Sequence, residues 1–320
     1  MNSTLVSIAV CTRNRAALLG TTMKTIMAQS HRPVEVLVVD DGSTDETGEV
    51  VASFGGKVRY HRQEQQGIAA ARTAACRLAD GELIAFQDDD DLMPPHRIDD
   101  LLGALRAYPR AVFAVGDWAL IDPAGRETGS ISQYQVRSSD GKPVLIEDGY
   151  RAVLWPLLSP VPHTTLFRRA DAERIGWFDS GRFFHACSDT DFYARLGKLG
   201  PVVYMPKVVS LYRMGHAQIW GNRLLSEYSR FLLFEKHLAE TGDVLLKERL
   251  SERLFGVLME LRDLERDGGP LPEAIPEDYL TRGVALLPPS RRLAFHMHGI
   301  ARFGICRKMK NLMTHAGRNS

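Results

Sequence analysis

Apolar residues in this chain fall first into short unbroken runs and then into helical spacing, and the two patterns alternate. Leu5–Cys11 is an apolar run rich in β-branched residues. A polar stretch, Thr12, Arg13, Asn14 and Arg15, separates it from Leu19, Met23, Ile26 and Met27, which recur on one helix face. Val34–Val39 reads as a second buried strand, closed by Asp40, Asp41, Gly42 and Ser43, and Ser43 with Glu46 has the spacing of a capping box for the next helix. Val58–His61 is a third strand, Gly67 opens a helix carrying Arg72, and Gly81 resets the chain into a fourth strand, Leu83–Phe86. Leu101, Leu102 and Leu105 mark a helix, and Ala111–Val115 a further strand ending in Gly116, Asp117 and Trp118. This alternation predicts an α/β protein with a mostly parallel, doubly wound sheet and right-handed crossovers.

Sheets of that kind bind ligands beyond the carboxyl ends of their strands. The fourth strand ends there in four consecutive carboxylates, Asp88, Asp89, Asp90 and Asp91. Like charges packed so closely raise one another's pKa values, and a hard divalent cation is an economical reason to keep them together. Taken alone, the run also reads as a solvated turn ending at Pro94 and Pro95, Asp40 or Asp41 as a turn acid, and Arg13 or Arg15 as a surface charge. Their shared placement beyond strand ends argues otherwise. Thr12, Arg13, Arg15, Asp40, Asp41 and the acidic cluster are expected to face one phosphorylated ligand.

Periodicity fades between residues 123 and 162, a variable excursion of the kind that recognises ligands. Trp155 within it is either a stacking platform for a ligand or a packing residue. Order returns at Thr164–Arg168, and a short helix leads to Gly176, Trp177, Phe178 and Asp179. Ser188 is the expected N-cap of a helix whose first turn holds Asp189 and Asp191, acids that the helix dipole alone would favour. Val202–Met205 and Val208–Tyr212 read as two strands, followed by Arg213, Met214, Gly215 and His216.

The last hundred residues change character. Leu224, Leu225, Tyr228, Phe231 and Leu232 begin one packing helix, and Leu246, Leu250, Leu254, Val257, Leu261 and Leu264 form another. Beyond a Pro-rich connection at 270–276, Ser290 is placed to cap a basic amphipathic helix. From Pro289 onward the chain has seven Lys or Arg and no acid. Residues 290–315 suit an anionic membrane surface; docking on the protein itself, a partner protein and nucleic acid are the competing readings.

Composition adds little against this picture. The chain has 320 residues, with 25% charged and 44% hydrophobic, which are globular values, and a formal net charge of +1 that gives no global argument for nucleic acid. No apolar run is long enough to cross a bilayer, and the amino terminus lacks the basic start of a secretory signal, so a cytoplasmic enzyme is expected. Cys11, Cys76, Cys187 and Cys306 show no metal or disulfide spacing.

VSIAVCTRNR, VEVLVVDDGSTDET, QGIAAARTAACRLADGELIAFQDDDDLMPPHRI and CSDTDFYARL resemble, in order and spacing, the signature segments of family 2 glycosyltransferases of the GT-A fold. The resemblance covers roughly the first two thirds of the chain. It implies a GT-A type, Rossmann-like mixed sheet flanked by helices over residues 1–220, with 1–115 binding a nucleotide sugar and 116–220 on the acceptor side, followed by a helical extension at 221–320. It also implies an inverting transfer from a nucleotide-diphosphate sugar, with uridine the commonest base, to a glycan or lipid-linked acceptor, and a place at the inner face of the cell membrane.

By the same resemblance, Thr12 and Asp41 hold the base with Asp40 and Arg13 beside them, and Arg72 contacts the donor, although Thr73, Ala74 and Ala75 replace the family's usual Asn-x-Gly. Asp88 and Asp89 belong to the donor side. Asp90 is the expected ligand of Mn²⁺ or Mg²⁺, helped by Asp88, Asp91 and His216. Asp189 is the general base and Asp191 an acceptor-side or structural partner, with Ser188 where the family usually has glutamate. Two rival readings are a sugar nucleotidyltransferase, which should carry a glycine-rich first loop that TRNRAALLG lacks, and a silent partner that binds a nucleotide sugar or glycan within a membrane assembly.

Overall fold

Every residue of the first strand, β1 (Val6–Thr12), is buried, so β1 must be covered on both faces. In the computed structural model it is followed by α1 (Ala16–Met27), β2 (Val34–Asp40), α2 (Thr47–Ala52), β3 (Arg59–Arg62), α3 (Ile68–Leu78), β4 (Leu83–Asp88) and α4 (Arg97–Ala107). The structure describes residues 4–131, 136, 138–155, 157–182, 186–215, 222–268, 272 and 274–296. β1 lies between β2 and β4 and β3 lies outside β2, all four parallel. Val6, Ile8 and Val10 point to one face, where Leu19, Met23 and Ile26 of α1 and Leu101 and Leu105 of α4 join the same core. The residues between them on β1 face α3, whose small side chains Ala71, Ala75 and Cys76 are fully buried.

The second half of the sheet is built from β5 (Phe113–Ile121), β6 (Glu127–Ile131), β7 (Val144–Ile146), α5 (Gly149–Leu154), β8 (Thr165–Arg168), α6 (Arg169–Arg174), α7 (Ser188–Gly197) and β9 (Val202–Arg213). The strand order is β3-β2-β1-β4-β8-β5-β9-β7, with β6 paired to β5. β8 runs antiparallel to both β4 and β5, while β5 and β9 are parallel. The sheet is therefore mixed and mostly parallel, as the alternation predicts.

Some local expectations are corrected. The two strands expected over 202–212 are one strand, whose pairing with β5 shifts register opposite Gly116 and Asp117 and so absorbs Pro206 and Lys207. The capping box of Ser43 and Glu46 does not form. Asp45 instead accepts from the Thr47 N–H at 3.1 Å and from the Ala16 N–H at 3.0 Å, joining the first turns of α2 and α1. The excursion at 123–162 contains β6, β7 and α5, and α5 crosses α7 so closely that a side chain on Gly197 would meet the Gly149 carbonyl carbon at 2.4 Å.

The chain divides into two compact units, residues 1–221 and 222–320. In the second, α8 (Arg223–Glu240), α9 (Val244–Gly268) and α10 (Tyr279–Leu286) share a core in which Tyr228, Phe231 and Tyr279 pack ring against ring. Gly283 lets α10 approach: a Cβ there would lie 2.5 Å from Leu258. Helix continues over residues 289–296; the rest of the predicted basic helix, 297–315, lies outside the described residues. Among the described residues no helix is long and apolar enough to cross a membrane.

Candidate active site

Register decides where the loops meet. Thr12 stands opposite Asp40 and Cys11 opposite Asp88, so β1, β2 and β4 end together and their loops leave one edge of the sheet. There a cleft of about 430 Å³ is lined by Thr12, Arg13 and Arg15 after β1, Asp41 after β2, Asp88, Asp89 and Asp90 after β4, and Arg72 of α3. Pro162, His163, Tyr212 and Asp189 line it from the second half of the sheet. The N-termini of α3, at Gly67 and Ile68, and α7, at Ser188, also border the cleft, and helix starts of this kind favour an anion such as a diphosphate.

The acids after β2 tie down their own loop and the loop between β3 and α3. Asp41 accepts from the Gln63 side-chain amide at 2.7 Å and from the N–H groups of Gln66 at 2.9 Å and Gly67 at 2.8 Å, fixing the entry to α3. Asp40 accepts from the Ser43 N–H at 2.8 Å and the Tyr60 hydroxyl at 2.5 Å and does not line the cleft. Burial and the Asp40 carboxylate push the Tyr60 phenol up to about 12.

The acids after β4 are held by their backbone and left with charge to balance. The Thr22 hydroxyl donates to the Asp91 carbonyl at 2.8 Å, and Arg213 donates through Nε to the Asp90 carbonyl at 2.8 Å and through its N–H to Asp91 Oδ1 at 2.8 Å. Burial, with Asp88 and Asp90 close by, raises the Asp91 carboxyl well above the usual carboxylate range. Burial also pushes Asp89 up to about 7, with Asp90 and Asp88 adding to the rise and Thr12 and Arg15 opposing it. Arg72 lies 3.4 Å from Asp88; burial lowers its pKa, but Asp88 and Asp189 outweigh that and raise it.

Ligand atoms of Asp88, Asp91 and His163 all lie within 4.8 Å of one another. His163 Nδ1 is 2.7 Å from the Ser210 hydroxyl and 3.6 Å from Asp91, and burial lowers its pKa to about 4, so the imidazole is neutral near pH 7. A neutral imidazole and two carboxylates within reach of one another, one of them the buried Asp91 whose carboxyl is raised by burial and by its acidic neighbours, fit a divalent cation. Asp90, the expected ligand, lines the cleft and forms an ion pair with Arg15 at 3.2 Å. His216 lies outside the described residues.

Asp189 borders the cleft and accepts from the Thr190 N–H at 2.7 Å. Ser188 is not the N-cap: Cys187 occupies that position with a φ of 64°, and Ser188 is the first helical residue. Asp191 points away from the cleft lining to Arg195 Nε at 2.7 Å, and the same guanidinium donates to the carbonyls of Ile175 and Trp177 at 2.7 Å each. That arrangement bolts α7 to the preceding turn. Phe178 and Phe192 stack at 4.0 Å beneath it. Trp155 is half-buried outside the lining, with Arg151 over its ring at 4.6 Å.

His163 is the site residue that periodicity does not reveal. The sequence places ligands at carboxyl ends of parallel strands, but β8 is antiparallel to β4, so its beginning lies at that edge. A histidine two residues before β8 is the available signal.

Residues 7–176 match the family described as glycosyl transferase family 2. An uncharacterised glycosyltransferase of Rickettsia typhi is 26% identical over 252 residues, covering 77% of this chain and 76% of that protein. Validoxylamine A glucosyltransferase of Streptomyces hygroscopicus subsp. limoneus is 42% identical over 106 residues, covering 31% of this chain and 23% of that protein. The crystal structure of S. aureus TarS 1–349 in complex with UDP-GlcNAc superposes with a TM-score of 0.62 at 16% identity, covering 89% of this chain and 82% of that one, which shows a shared GT-A fold. By the extent of its match and by its fold, the chain belongs to glycosyl transferase family 2 and is a glycosyltransferase.

Proposed function

We propose that the protein transfers a sugar, with inversion, from a uridine-diphosphate donor to a hydroxyl of a glycan or lipid-linked acceptor. The observation that carries this reading is convergence: Asp41, Arg72, Asp88 and Asp189, from four separate segments, line one cleft of about 430 Å³, within the range of small-ligand sites. The TarS neighbours, solved with UDP and UDP-GlcNAc, support the choice of donor.

In this reading Thr12 and Asp41 hold the base, and Arg13 and Arg72 with the α3 N-terminus bind the diphosphate. Asp88, Asp91 and His163 would hold Mn²⁺ or Mg²⁺, with the imidazole favouring Mn²⁺, and Asp90 pairs with Arg15 at the rim. The cation, when bound, supplies Lewis-acid stabilisation of the diphosphate leaving group. Asp89 adds negative charge next to that pocket. Asp189 accepts the acceptor hydroxyl's proton as its oxygen attacks the anomeric carbon, and the bond from that carbon to the diphosphate oxygen breaks on the opposite face. Asp191 keeps Asp189 in place through Arg195. Residues 290–315 bring the enzyme to an anionic membrane surface.

Calorimetric titration with UDP, dTDP and GDP, with and without Mn²⁺, tests the donor site. UDP should bind in preference to dTDP and GDP, more tightly with Mn²⁺, and Asp88→Asn should lose the metal-dependent part. Binding that ignores both the base and the metal would sink the reading.

A further inference from the structure

Arg97, at the start of α4, is 1% exposed and is the largest fully buried side chain of the described residues. A buried guanidinium needs partners for its N–H groups; the two Nη groups find neutral ones and Nε finds none among the described residues. Nη1 donates to Gln87 Oε1 at 2.8 Å, and Nη2 reaches the carbonyls of Phe86 at 2.8 Å, Thr165 at 3.2 Å and Pro162 at 3.5 Å. Among the described residues no carboxylate pairs with it directly. Burial accordingly lowers its pKa to about 10, with Tyr193, Asp88 and Asp91 pulling the other way.

The partners fall into two groups. Phe86 and Gln87 are the last residues of β4 before Asp88, while Pro162 and Thr165 flank His163 and Thr164. β4 and β8 share only a short pairing, Leu83 with Arg168 and Ile84 with Phe167, far from the cleft end. Where the two strands reach the cleft, the guanidinium is therefore the bridge between them. Its planar fork donates in two directions at once, which a lysine ammonium on a flexible stem does not reproduce.

We infer that Arg97 is a positioning residue that locks the end of β4 to the 162–165 turn, so that His163 faces Asp88 and Asp91 in one metal-binding pocket. The inference rests on the metal reading proposed above and deepens it by naming what holds the two halves of the pocket in register. Outer partners of this kind set the geometry of ligands without touching the ion.

The test uses the full chain, its Arg97→Lys and Arg97→Met variants, and Mn²⁺ as the probe, with free Mn²⁺ followed by electron paramagnetic resonance. Both variants should bind Mn²⁺ about 10–100-fold more weakly than wild type. Metal-free UDP affinity, which depends on the β1 and β2 loops and on α3, should change by no more than about twofold. Hydrogen exchange without metal should speed up across residues 161–168. Arg97→Lys keeps the buried charge and carries the test if Arg97→Met fails to fold. Wild-type Mn²⁺ affinity in a folded variant overturns the inference. A wild-type protein that takes up no Mn²⁺ overturns the metal reading itself, and unchanged exchange at 161–168 in Arg97→Lys overturns the role of Arg97 whichever way the metal result falls.

Discussion

Two strand ends in this sheet carry clustered acids, one strand apart, and they handle their charge differently. After β2, Asp40 and Asp41 accept hydrogen bonds from the Ser43 N–H of their own loop, from the Tyr60 hydroxyl of β3, and from side-chain amide and backbone N–H groups of the β3–α3 loop. After β4, burial and mutual repulsion raise Asp89 and Asp91, although the loop's backbone is firmly held by Thr22 and Arg213. A buried carboxylate is stable when N–H or O–H groups neutralise it, and otherwise requires a proton or a cation. The β2 acids build the site. The β4 acids retain negative charge that the proposed cation would balance.

Three substitutions press on that contrast. Asp189→Asn, which removes the proposed base without touching either cluster, should lower kcat by about 10²–10⁴ and leave Mn²⁺ affinity unchanged; near-normal turnover would refute its role. Asp91→Asn should lower turnover by about 10²–10³, while the melting temperature of the metal-free protein holds or rises because a carboxylate held above its ordinary range is gone. Asp40→Ala should do the reverse. Losing two hydrogen bonds to a buried charged acceptor should destabilise the fold by about 2–4 kcal/mol, with turnover per folded molecule changed little. If Asp91→Asn unfolds the protein and Asp40→Ala silences it while folded, the two ends have been assigned the wrong way round.

Much of the first half was legible because parallel strands buried on both faces leave continuous apolar runs, and β1, β2 and β4 carry them. The convergence of Thr12, Asp41 and Asp88 follows from that alternation alone. The second half hides its logic in pairings that no local pattern encodes. His163 enters the cleft because β8 is antiparallel, and Arg97 is indistinguishable in sequence from a solvated helix-start arginine. Division of labour within Asp88–Asp91 was equally opaque: four adjacent acids look alike until the chain turns Asp90 to Arg15 and Asp91 inward to Arg213. Capping was misread at Ser43 and Ser188 for a similar reason, since spacing marks candidates and neighbouring loops choose among them.

The smallest expected effect is also the most diagnostic of unbalanced charge. Asp89 binds its proton with a pKa of about 7 in the folded protein against an ordinary 3.8, so between those values the native state holds more protons than the unfolded chain. Stability from this group is greatest at low pH and is lost as pH rises through 7, and Asp91 acts in the same direction. His163 acts oppositely: its pKa of about 4 against an ordinary 6.5 means that stability falls as pH drops through that interval. Between pH 8 and 6.5 the acids outweigh His163, whose opposing effect is only beginning there, so over that span acidification should stabilise the metal-free protein, by about 1 kcal/mol or less for Asp89. Thermal melts at pH 8 and 6.5 check the sign. Asp89→Asn should flatten the difference, and saturating Mn²⁺, which favours ionised carboxylates, should flatten or reverse it. A metal-free protein that loses stability over the same span would mean that the β4 acids are as fully neutralised by their own chain as those of β2.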